Sequence, residues 1–186
     1  LISSVPPYQL LVGKLLGASA VSLLLLSAYF GGGYSIAVLL DYGAWFTLRN
    51  VACLLSFELI ALLMYGSVFL AIGSLCSDLR ESQTLMLPAM VLSSTPLLLL
   101  PVVLAEPHSV LVTVLSLVPF FTPVLMMIRA TLVPAAPAWQ VFLGALLSSG
   151  MALACVVFAG RCLKAGLLSR GPAPKLRELL GWLRQA

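Results

Sequence analysis

Almost every segment between Leu10 and Leu163 is apolar enough to sit in lipid, and the polar stretches between these segments are short. Roughly 20 consecutive apolar residues cross a bilayer at about 1.5 Å rise per residue, longer than most core helices of soluble domains allow. Hydrophobic residues fill 61% of the 186 positions and charged residues only 9%, with a mean hydropathy of +1.13. A soluble domain carries about 25% charge, so polar groups here are too sparse to cover a water-facing surface. The chain reads as an all-α, polytopic membrane helical bundle.

The apolar runs place four spans at about 10–40, 51–75, 85–104 and 138–163. Gly31-Gly32-Gly33 interrupts the first run, whose first 20 or so residues already suffice to cross. Gly13 and Gly17 share one helix face, a spacing that lets two helices approach closely, and packing inside the bundle is favoured over a dimer seam. The stretch Asp41 to Asn50 is polar with interfacial aromatics and reads as a boundary loop. A second loop, Cys76 to Thr84, carries Asp78, Arg80 and Glu81. Pro88, Pro96 and Pro101 fall within the third span, and a short polar connection runs from Ala105 to Ser109.

Charge decides the orientation. Six of the ten Lys and Arg residues, Arg161, Lys164, Arg170, Lys175, Arg177 and Arg184, lie in the last 26 positions. Juxtamembrane basic residues are held on the cytoplasmic side. If the run at about 110–128 crossed as well, five crossings would put this tail outside. If it dips in and returns, four crossings keep Lys14, the Asp78–Glu81 loop and the tail inside. Pro119 and Pro123, flanking Phe120, each remove a backbone donor and break a continuous helix. Such backbone at membrane depth is tolerated only where it is buried in protein or lines a cavity. The expectation is therefore a re-entrant helical hairpin rather than a kinked span.

Residues 164–186 form a basic cytoplasmic tail. Leu176, Leu179, Leu180 and Leu183 follow a helical spacing with Lys175, Arg177, Glu178 and Arg184 between them, the pattern of a C-terminal helix lying in the lipid interface. Arg161, Lys164, Lys175, Arg177, Trp182 and Arg184 are its expected anchors.

Glu58 alone is an ionisable residue well inside an expected span, so it should face the bundle or a wet cavity. A functional role, as a contact for a polar substrate or a partner for Arg49 or Arg129, and a plain packing role are equal readings. Enzyme signatures fail. His108 is the single histidine, which excludes a two-His zinc site. Val12-Gly-Lys-Leu15 resembles part of a phosphate-binding loop, but Tyr8 stands where the earlier glycine belongs and Leu15 replaces Ser or Thr. No catalytic residue, metal site or cofactor is expected. Cys53, Cys76, Cys155 and Cys162 lack paired spacing and read as inert thiols. The net charge of +4 lies beside membrane segments, where anionic lipid and not nucleic acid is the nearer partner. Starting at Leu1 without Met, the chain reads as the C-terminal part of a longer protein.

Several segments together resemble ABC-2-type transporter permeases, in the sodium-extruder-like branch. The stretch Leu1 to Gly17, with Pro6-Pro7-Tyr8 leading into Gly13-Lys14, is similar to their coupling segment. Ile72 to Leu75 followed by Glu81-Ser-Gln83 and Pro88 resembles their next cytoplasmic loop. Ser116 to Arg129 resembles their outer re-entrant region, and Arg161 to Arg184 their ending. The resemblance implies an exporter permease in the cell membrane of a bacterium, working as a homodimer or heterodimer with a separate ATP-hydrolysing subunit. Residues 1–14 would then be a cytoplasmic coupling segment. By position, Ser3, Ser4, Val5, Pro6, Pro7 and Tyr8 would contact the ATPase, with Asp78, Arg80 and Glu81 in support. Two other readings stand beside it: an ion-coupled carrier or channel using Glu58, and a structural membrane assembly subunit.

Overall fold

The structure, a computed structural model, describes residues 7–41, 43, 46–76, 78–132 and 134–168. No strand occurs among them. Seven helices follow in order: α1 (Pro7–Leu39), α2 (Leu48–Leu75), α3 (Leu79–Leu98), α4 (Leu100–Ala105), α5 (Val110–Leu117), α6 (Thr122–Thr131) and α7 (Ala138–Leu168). Among the described residues, four helical stretches are long and apolar enough to cross a membrane: Tyr8–Leu39, Leu48–Leu75, Arg80–Ala105 and Ala138–Lys164.

Hydroxyl groups on these helices satisfy themselves locally. Ser19, Ser35, Ser56 and Ser148 each donate to the carbonyl four residues back, at 2.7–2.8 Å. A polar side chain spent on its own helix costs little in an apolar surrounding. The outward faces can then be purely apolar, as with exposed Leu24, Tyr29, Leu98 and Phe142.

Helix boundaries differ from the sequence expectation in three places. Helix α1 runs unbroken through Gly31-Gly32-Gly33 until Asp41, at a φ of 62°, ends the region. Flanking Leu, Tyr and Ile residues carry the helix across three weak formers. The expected loop from Cys76 to Thr84 is short instead: Asp78 stands at the N-cap and Arg80, Glu81 and Thr84 are already helical. An acidic Glu81 in the first turn is favourable at the positive end of the helix dipole. The third run continues as one bent rod through Pro88 and Pro96, breaking at Leu99, because Pro101 lacks the N–H that would reach back across that turn.

Two cores are stacked along α2 and α7, the most extensively paired helices. Near the α1 N-terminus, Leu11 and Leu15 pack with Ala71, Ala159, Cys162 and Leu163. Gly66 and Gly160 line this core, and a Cβ at either would meet the Leu15 and Leu11 methyls at ordinary contact distance, 3.4 and 3.7 Å. Gly13 and Gly17 have no neighbouring heavy atom where a Cβ would stand, so among the described residues the expected close-packing face is not used. Near the opposite end, Phe57, Met126 and Ala136 form a second core, with Val103, Val112 and Leu125 beside it.

In that second core Gly144 of α7 is buried against the α6 start. A Cβ there would lie 2.9 Å from Thr122 Cγ2 and 3.2 Å from Met126 Cε. Gly144→Ala should therefore destabilise the protein by about 1–3 kcal/mol through overpacking, seen as a lower thermal midpoint of the purified protein. Gly31→Ala, in open surroundings, should be neutral or stabilise by up to about 1 kcal/mol.

Candidate functional site

Helices α5 and α6 form a hairpin joined by Val118–Phe121. Pro119 and Phe120 occupy the turn, and Pro123 sits in the first turn of α6, where a missing N–H costs nothing. Tyr65, just past the middle of α2, donates its hydroxyl to the Phe120 carbonyl at 2.6 Å. Their rings meet edge to face with centroids 5.0 Å apart. Both feet of the hairpin lie at the other extreme. The α6 end is beside the start of α2, where the Arg49 guanidinium faces the Ala130 carbonyl at 3.5 Å. His108 and the Pro134 carbonyl are 3.2 Å apart. The hairpin thus enters and leaves at one end of the bundle and turns at mid-height of α2.

Arg129 locks this arrangement. It is 1% exposed, and its donors converge on four acceptors. Nε donates to the Pro107 carbonyl at 2.8 Å, and the terminal nitrogens donate to Ser116 Oγ at 2.5 Å, Thr113 Oγ1 at 3.1 Å and Gln140 Oε1 at 3.0 Å. One guanidinium therefore joins α6 to the connection before α5, to α5 itself and to α7. None of the four is a carboxylate. Only a planar fork with five donors reaches so many acceptors at once. From the sequence this residue was considered only as a partner for Glu58. The signal was a lone Arg in an apolar, Pro-broken run, with Thr113 and Ser116 on one face of the preceding run.

Glu58 of α2 is half-buried and accepts a hydrogen bond from Ser22 Oγ of α1 at 2.9 Å. This corrects the expectation that Arg49 or Arg129 pairs with it. Arg129 is occupied elsewhere, and Arg49 sits nine residues back along α2 at the hairpin feet. The Ser22–Glu58 contact is instead a polar bond between two spanning helices, with Glu58 next in sequence to Phe57 of the second core.

At the α1 N-terminus Tyr8 is 62% exposed, although Leu11 three residues on is fully buried. Pro7 begins the helix, while Ser3, Ser4, Val5 and Pro6 lie outside the described residues. Asp78, Arg80 and Glu81 are exposed where α2 turns into α3. Burial, then the Glu81 carboxylate, push the nearby Cys76 thiol above its ordinary value, against an opposing Ser82 hydrogen bond. A thiol held in that form is a poor nucleophile. Arg161 and Lys164 are exposed near the α7 end, whose helix continues to Leu168. Lys175, Arg177, Trp182 and Arg184 lie outside the described residues. No cluster of three metal-binding side chains occurs among the described residues.

This architecture, four apolar rods around a half-depth hairpin, is that of a multi-pass, all-α membrane protein. The chain belongs to the ABC-2 family of transporter proteins, which it matches over residues 1–161. It is 27% identical over 199 aligned positions to the uncharacterized protein YhaP of Bacillus subtilis, covering 100% of this chain and 47% of that one. It is 25% identical over 123 positions to an uncharacterized protein of Methanocaldococcus jannaschii, covering 66% of this chain and 30% of the relative. The chain thus spans less than half the length of these curated relatives. No solved structure matches it.

Removing the Arg129 fork tests its part in the hairpin. Arg129→Met leaves several buried acceptors without a donor and should cost at least about 2–3 kcal/mol. Arg129→Lys, which keeps charge but loses the fork, should recover little of it. Thermal unfolding followed by circular dichroism in detergent measures both; full recovery by Lys would show that charge alone matters.

Proposed function

We propose that this chain is the membrane-embedded part of an ATP-driven exporter's permease subunit, in the cell membrane, with hydrolysis carried out by a separate ABC ATPase. The observation that carries this reading is the family match across the four spans and the hairpin. The complete protein works as a homodimer or heterodimer of permeases, its two half-bundles enclosing the pathway.

In this reading the inner end is where α1 begins. Residues 3–8 meet the ATPase, with Asp78, Arg80 and Glu81 in support. The position of Pro7 and Tyr8 favours the role, because they stand in the first turn of a helix of 33 residues, about 50 Å long. Leu11 and Leu15 are seated directly beyond it on α2 and α7. A push on residues 3–8 is therefore delivered to three spans within the first two turns. Pro6 and Pro7 stiffen the point of contact. The tail and Lys14 share this compartment, and the hairpin enters from the opposite side.

A carrier driven by an ion gradient is the second reading, favoured by the Glu58–Ser22 contact inside the bundle. The two separate cleanly in the full-length protein reconstituted with its ATPase. Val5→Asp and Tyr8→Glu should abolish permease-stimulated ATP hydrolysis and efflux while leaving Glu58-dependent ion movement untouched. Glu58→Gln should leave nucleotide-driven efflux within a few fold; complete loss, together with efflux that follows the proton gradient and ignores ATP, favours the carrier. Cysteine labelling of position 186 from outside the cell would overturn the exporter topology.

A further inference from the structure

A groove of about 810 Å³ opens between α2 and α7 at the end where the hairpin has its feet. Its size is that of a small-molecule site, about 300–1,000 Å³. One wall is a single face of α2, with Cys53 and Phe57 at helical spacing, and the other a face of α7, with Val141 and Phe142. Ala136 contributes to the lining near the bundle core. Ser56 also lines it, its hydroxyl spent on the Ala52 carbonyl at 2.7 Å, and the rest is apolar except at the mouth, where Arg49 stands in the first turn of α2.

Arg49 is the distinguishing feature. Its side chain is exposed, and among the described residues its hydrogen bond is the 3.5 Å contact with the Ala130 carbonyl, at the limit of such bonds. No ion pair is formed by Arg49 among the described residues. Arg129, the other arginine at this end, is fully engaged by protein acceptors. Lys14, Arg161 and Lys164 flank the core at the opposite end, so Arg49 is an arginine retained away from the basic end of the bundle, against the usual charge bias. A guanidinium at the rim of an apolar slot fits an anionic headgroup, since its planar fork matches two phosphate oxygens.

We infer that this groove binds an anionic phospholipid: the phosphate is held by Arg49 and one acyl chain lies between Phe57 and Phe142. The site itself does not depend on the exporter reading. Only its leaflet does: in the proposed topology it is the outer one. Ala52, exposed one turn from Arg49 and lining the same wall, offers a place to block the slot without touching the core.

The test uses the full-length protein in liposomes with a trace of phosphatidylglycerol carrying a photoactivatable diazirine on one acyl chain, and mass spectrometry to locate the adducts. Labelling is expected on the segments around Phe57 and Phe142, competed by unlabelled phosphatidylglycerol about fivefold better than by phosphatidylcholine. Arg49→Gln should abolish that preference while adducts persist, and Ala52→Phe should remove the groove adducts while those at outward-facing Leu55 and Leu59 remain. Equal competition by the two lipids in the unaltered protein would overturn headgroup recognition. Adducts at Leu55 and Leu59 with none in the groove would mean that another protein segment fills it, and would overturn the site. Loss of ATP coupling with groove labelling intact would count against the exporter reading alone.

Discussion

The bundle depends on how a backbone that turns back at mid-depth is held without water. A hairpin of two short helices exposes more helix ends, and so more unpaired backbone groups, than a single span would. Ser109 caps α5 through a 3.3 Å bond from the Val112 N–H, and Tyr65 meets the Phe120 carbonyl at the turn. Arg129 then collects the carbonyl before α5 together with three side-chain acceptors. Because the interior is apolar, each of these bonds is strong and its loss expensive. The hairpin is thus stapled at its tip and at its feet, with ordinary apolar packing of Val112, Leu125 and Met126 between.

Much of this was legible from residue patterns. Run length gave the number of long rods, and the placement of Pro119 and Pro123 foretold the turn, because a missing donor acts locally and needs no tertiary information. What sequence patterns misread were features decided by neighbours in space. Gly13 and Gly17 have the spacing of a close-packing face, yet Gly66, Gly144 and Gly160 are the glycines other helices lean against. Periodicity identifies a face but not whether anything covers it. Glu58 stood out as a polar group within a span, but its partner is a serine 36 positions earlier, a separation no local signal reports. Arg129 was hidden for a related reason: its acceptors come from three separate stretches of chain, assembled only by the fold. The charges at Arg80 and Glu81 suggested a loop, whereas a helix start accommodates an acidic residue readily.

Membership of the ABC-2 family accounts for a bundle with so few charges. Its polar side chains serve as interhelical bonds, caps and boundary contacts. The cation left over at the hairpin's feet, Arg49, is the exception, and its setting at the rim of an apolar slot suits an amphiphile better than a water-soluble ion.

The division of the interior into two cores has a mechanical consequence. Helix α1 is seated in one, the hairpin in the other, and both lean on the same pair, α2 and α7. Those two helices therefore act as a common beam. Tilting the beam at one end by repacking Leu11 and Leu15 changes the gap at the far end, where Phe57 and Ala145 enclose Met126, by leverage rather than by deformation of either core.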